Sequence, residues 1–180
     1  DAQAVWIVGL DEARTHGVAG RRLVEWLGDP RAPKLGHDIK ALQRRLGALG
    51  ISLGGVVGDT LLAAYLVNPS RTNQRLTDLA DEYVEESLPA LPELEALEDV
   101  GAYEAQQALG LHASAIVKLH EPLLARLREH ALEPLYRELE LPLSTVLADM
   151  ERLGIAVDVD ELAGLRATMD AQLARITEEL

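Results

Sequence analysis

Cysteine is absent from the 180 residues. Disulfides and Cys-ligated zinc are therefore excluded, and the chain suits a reducing, cytoplasmic setting. No run of about 18 apolar residues occurs, so nothing reads as a membrane span. No basic segment leads into an apolar stretch at the N-terminus, so no signal peptide is read there. Positive charge is short: 17 Lys and Arg stand against 30 Asp and Glu, for a net charge of −13. Such a chain repels phosphate, whereas nonspecific nucleic-acid affinity depends on neutralising phosphates with Lys and Arg. Taken alone, this argues against a DNA-binding module and leaves room for a scaffold whose neighbours hold DNA. The five histidines (His16, His37, His112, His120, His130) are scattered, with no i, i+4 pair beside a third ligand, so no zinc site is expected.

What is present is foldable: 48% of the residues are hydrophobic, enough for one core and an appendage. The first half alternates short apolar runs with amphipathic helices. Val5–Gly9 reads as a strand, Gly20–Leu27 as a helix with Leu23, Val24 and Leu27 on one face, and Pro33–His37 as a second short strand. The next helix starts at Asp38, a good N-cap residue, and steps through Ile39, Leu42, Leu46 and Leu49 as one buried stripe. Val56–Gly58 then leads into Asp59, read as the cap of a helix over Thr60–Val67. This alternation predicts an α/β layer, a sheet flanked by helices. After the punctuated loop Asn68–Asn73 and a short helix from about Arg75 to Glu85, the two prolines of Leu88–Pro92 mark a linker. From there the chain reads as all-helical: Tyr103 to about His130, Glu133 to about Gly154 with Pro142 starting or kinking it, and a last helix capped by Asp158 or Asp160. Trp6 and Trp26 are expected in the core. The acidic runs Asp81–Glu86 and Glu93–Asp99 are expected at the surface. No strand precedes Val5–Gly9 to pair with it, and the final helix stops at Leu180, so a piece of a longer chain is expected.

Three segments together resemble the family A bacterial DNA polymerases. Gly36-His37-Asp38-Ile39-Lys40-Ala41-Leu42 is similar to the family's second exonuclease motif, G-H-N-x-K-x-D. The run Asp59–Arg71, followed by Leu76–Tyr83, is the second. The third and most specific is Leu135–Leu143 followed by Val146–Asp158, which resembles the entry into the polymerase domain. The three occur in the family's order and cover about residues 5 to 180. The resemblance implies a ribonuclease H-like, DEDD exonuclease-like domain over residues 1–127, its first strands lying upstream, and the first helices of a polymerase domain over 128–180, leading to the thumb. It also implies a parent protein that extends DNA with Mg²⁺, acts as a monomer, and meets DNA through parts outside this chain.

Metal-dependent cutting of a phosphodiester needs two divalent ions held by several carboxylates. In active members of the family these come from a D-x-E on the first strand, an Asp in the second motif and an Asp in a Y-x-x-x-D motif. The D-x-E would fall upstream of residue 1. Asp11-Glu12 cannot replace it, because neighbours on a strand point to opposite faces. Leu42 stands where the second motif's Asp would fall, and Asp38 takes the family's Asn position. Counting back from Pro142 puts the third motif's acid at Leu111 or His112, neither a carboxylate, while Tyr103 is followed four residues on by Gln107. Asp38, Leu42, Leu111 and His112 thus mark degenerate positions. No catalytic or metal-binding residue is expected, no cofactor is expected on this chain, and its role is read as scaffolding. Lys40, Arg44 and Arg45 form a small basic cluster, a solvated face or a contact for single-stranded DNA. Two rival readings stay open: an exonuclease active through shifted ligands at Asp38, and an acidic module that recruits a partner protein.

Overall fold

The computed structural model describes Val5, Ile7, residues 17–89, Leu91 and residues 103–178. Of the expected first strand only Val5 and Ile7 are described, neither in regular structure; Trp6, Asp11-Glu12 and the run Glu93–Asp99 lie outside the described residues. Helix α1 spans Gly17–Gly28, strand β1 Lys34–Gly36, α2 Ile39–Ala48, strand β2 Val56–Asp59, α3 Thr60–Val67 and α4 Leu76–Val84. A 27-residue helix α5 covers Tyr103–Glu129 and continues through Pro122. A short α6, Glu133–Leu135, runs into a π turn over Tyr136–Glu140, then α7, Leu141–Leu153, and α8, Val159–Glu178. The fold is mixed and mostly helical around a small parallel sheet, in line with the sequence reading.

Among the described residues the sheet is the β1–β2 pair, with Leu35 opposite Gly58 and Gly36 opposite Asp59. A parallel pair needs a crossover, and α2 supplies it. Entry into β2 requires glycine: Gly55 has φ +68°, and a Cβ there would lie 2.2 Å from the Ala32 carbonyl oxygen. The core gathers Ala63 and Ala64 of α3, Leu76 and Leu79 of α4, Leu119, Leu123, Leu124 and Leu127 of α5, and Tyr136 and Leu141 from the C-terminal segment. The four α5 leucines recur at helical spacing, so one stripe covers α3 and α4 together. Each buried leucine contributes about 1.5–3 kcal/mol.

Two expectations about burial are corrected. Trp26 is 49% exposed. Its ring lies 4.9 Å from the Lys34 ammonium, which donates to the carbonyls of Asp29 and Ala32. The indole shields a buried cation at the sheet's margin instead of filling the core. Leu42 is 38% exposed, although Ile39 and Leu46 of the same stripe are buried. The buried arc of α2 turns away from Leu42 because α7 packs on its other flank, where Gln43 donates to Thr145 at 2.9 Å and Lys40 meets Glu151 at 2.6 Å. Pro142 starts α7, as expected. The Leu141 N–H reaches back to the Tyr136 carbonyl in the wide π pattern just before it. Asp158 caps α8, accepting from the N–H groups of Asp160 and Glu161 at 3.1 Å each.

Candidate functional site

The motif Gly36–Leu42 lies where β1 passes into α2, beside the matching exit of β2 into α3. Asp38 caps α2 in a left-handed conformation, φ +56°, its carboxylate accepting from the Ala41 N–H at 3.3 Å. Aspartate and asparagine tolerate this conformation better than other non-glycine residues. A single physical demand, a short polar cap with positive φ, therefore admits Asp38 where the family motif has Asn.

Asp59 lies at the centre of the junction and is 1% exposed. One carboxylate oxygen accepts from Leu61 N–H at 2.9 Å, the ordinary capping bond of α3, and from Asp38 N–H at 3.1 Å. The other accepts from Ile39 N–H at 2.8 Å. One side chain thus satisfies the unpaired donors of two helix N-termini, α2 and α3. Burial pushes the Asp59 carboxyl above its ordinary range, against the opposing pull of the N–H groups of Ile39, Leu61, Asp38 and Leu62. Its backbone is equally committed. The Tyr136 phenol accepts from the Asp59 N–H at 2.6 Å and donates to the Asp59 carbonyl at 3.0 Å. Tyr136 is fully buried and its phenol is pushed up to about 12, chiefly by burial, so it remains a donor throughout the physiological range.

His37 Nδ1 lies 2.9 Å from Thr60 Oγ1, and Thr60 in turn donates to the Gly36 carbonyl at 3.3 Å. Burial lowers the His37 pKa; Asp38 and the Gln74 carbonyl oppose that shift and His112 adds to it. His120 is also lowered, first by burial. Both shifts favour the neutral ring in the folded chain, so their contribution to stability is present above 6.5 and is lost as pH falls through the depressed folded values. Urea midpoints should therefore decline from pH 7 to pH 5.5, and His37→Gln should flatten part of that decline. A midpoint independent of pH over this window contradicts the assignment.

The other positions singled out by the sequence reading lie apart in character. Leu42 presents an exposed aliphatic side chain one turn into α2, and Leu111 on α5 is 51% exposed. His112 is buried, its Nε2 2.8 Å from the Pro89 carbonyl oxygen. Among the described residues no three His, Asp or Glu gather where they could hold a metal ion. Lys40 and Arg44 both pair with Glu151 of α7, at 2.6 and 3.3 Å, and Arg45 is exposed. Tyr136 and the second role of Asp59 escaped the sequence reading. The only signal for either was a lone tyrosine in an aromatic-poor helical stretch.

A sequence model of the family described as "DNA polymerase I, ribonuclease H-like domain" matches residues 9–90. The chain is 40% identical over 162 residues to DNA polymerase I of Mycobacterium leprae, covering 87% of this chain and 18% of that protein. It is 35% identical over 190 residues to DNA polymerase I of Geobacillus stearothermophilus, covering 97% and 21%. The chain therefore spans about a fifth of the length of these curated relatives. Among solved structures, the polymerase domain of Pol1 from M. smegmatis, in complex with DNA primer-template and dNTP, is similar with a TM-score of 0.74 and 34% identity, over 89% of this chain and 26% of that one.

Proposed function

The chain belongs to the DNA polymerase I family, and on that premise we propose that residues 1–127 form an exonuclease-like domain that no longer cuts DNA and serves as a scaffold, with residues 128–180 opening the polymerase domain. The observation that carries this reading is Leu42, an aliphatic side chain exposed on α2 one turn after Asp38, at the position where the family motif has its metal-binding Asp. A leucine cannot ligate a cation. The remaining candidates are committed elsewhere: Asp38 to the Ala41 N–H and His112 to the Pro89 carbonyl. Leu111 is as unfit as Leu42. Among the described residues these positions do not supply the carboxylates of a two-metal centre.

The parent protein is read as a template-directed DNA polymerase of replication or repair that uses Mg²⁺. DNA is its expected partner, supported by the primer-template in the similar Pol1 structure. Lys40 and Arg44 are read as clamps on α7 through Glu151 and not as DNA contacts.

Incubating the intact parent polymerase with 5′-labelled single-stranded DNA and Mn²⁺ tests the proposal. No stepwise shortening from the 3′ end is expected, and Asp38→Ala should change nothing. Shortening that disappears in Asp38→Ala would instead establish an active nuclease with shifted ligands.

A further inference from the structure

Among the described residues β2 pairs with β1 alone, which leaves polar backbone groups to satisfy on its other side, and an uncovered strand edge is a template for unwanted pairing. At Asp59 both groups, N–H and C=O, are taken by one side chain from 77 residues further along, the Tyr136 phenol. The segment that brings Tyr136 there is fastened along its length. Ser144 and Ala148 of α7 are buried, as is Leu141 at its start. Gln43 donates to Thr145 at 2.9 Å, and Glu151 receives Lys40 and Arg44 from α2. Gly47 lets the helices approach closely, since a Cβ there would lie 3.3 Å from the Arg152 Cδ.

The turn that precedes this segment is equally tight. Leu132 N–H returns to the Leu127 carbonyl at 2.7 Å, with Ala131 in the left-handed region at φ +56°. Glu133 bridges Arg128 and Arg137 across the turn, at 2.9 Å to each. The contrast begins at Gly154. It ends α7 with φ +72° and ψ −178°, residues 154–158 take no regular structure, and every residue from 154 to 177 is exposed.

We propose that residues 133–153 are a strap that closes the β2 edge of the ribonuclease H-like body, so that the joint between this body and helix α8 lies at Gly154–Asp158, and the 127–133 turn is no joint at all. The proposal goes beyond the scaffold reading and does not depend on whether the nuclease is silent. It implies that α7, although it carries the sequence entering the polymerase domain, moves with the exonuclease-like fold.

Limited proteolysis and amide hydrogen exchange on the intact parent polymerase test it. Thermolysin cuts before large apolar residues, which both segments offer: Leu132 in one, Ile155, Val157 and Val159 in the other. Cleavage within 154–159 should be at least tenfold faster than cleavage before Leu132. The amides of α7 should exchange with those of α2 as one unit, and α8 should exchange faster. In Tyr136→Phe the Asp59 amide should exchange at least tenfold faster than in the parent chain. Faster cutting before Leu132, or α7 exchanging with α8 independently of α2, overturns the proposal. Should Tyr136→Phe fail to fold, the proteolysis and exchange of the unmodified chain decide the matter.

Discussion

Asp59→Ala is expected to lower the unfolding free energy of the chain by about 3–4 kcal/mol. The magnitude comes from the bonds the carboxylate makes. It accepts from Leu61 and, more weakly, Leu62 of α3, and from Asp38 and Ile39 at the start of α2. Losing an N-cap typically costs about 1 kcal/mol; here α3 loses its cap while α2, still capped by Asp38, loses the acceptor for the Asp38 and Ile39 N–H groups in a site that water reaches poorly. Each buried N–H left without an acceptor adds about 1–3 kcal/mol. Alanine provides no acceptor. Asp59→Asn keeps one acceptor oxygen and should cost about 1–2 kcal/mol, less than alanine.

The sign of the pH dependence is set by burial. Because the folded carboxyl sits above its ordinary value of 3.8, the protonated form is the one the fold favours. Its proton-linked contribution is full below 3.8 and is lost as pH rises through the raised folded value. Asp59 thus holds the two helices through geometry, and its charge is a cost that geometry outweighs. Urea denaturation followed by circular dichroism measures both variants. An alanine variant with an unchanged midpoint rules out the double cap.

Tyr136→Phe is expected to cost about 2–4 kcal/mol, although it removes one oxygen and leaves the packing in place. The ring sits in the main cluster with Leu119, Leu123, Leu127 and Ala63, and phenylalanine would still fill that space. What disappears is the hydroxyl bonded to both the N–H and the C=O of Asp59 at this edge. An amide and a carbonyl would then remain buried and unpaired, each worth about 1–3 kcal/mol. Tyr136→Ala adds the loss of the ring and the cavity it leaves, for about 3–5 kcal/mol more. Comparing the two separates hydroxyl from ring. If phenylalanine is as stable as tyrosine in thermal unfolding, the phenol is a packing residue and the edge is satisfied in another way.

These two positions show how unevenly the sequence exposes its structure. The α2 and α3 starts were legible because a cap is a local matter: Asp38 and Asp59 each precede an apolar period, and each side chain does reach a nearby N–H. The bond from Asp59 to Ile39, 20 residues away, has no such local trace. That Leu42 carries no carboxylate was legible, since that depends only on residue type. Its exposure was not, because the buried arc of α2 is set by α7, more than 100 residues later in the chain. Trp26 failed for the same reason: a large aromatic side chain reads as core until a buried lysine is found beneath its ring.

Composition and period by themselves determined the absence of disulfides, the strand–helix alternation and the helix starts, and three motif segments carried the resemblance to the family, because each is written in residue types at short spacing. Only the tertiary structure decided which donors Asp59 serves, which face of α2 is buried, and that a tyrosine 77 residues further along binds both backbone groups of Asp59. Those outcomes arise where elements distant in sequence meet, and a buried polar group takes whichever partner the packing brings within reach.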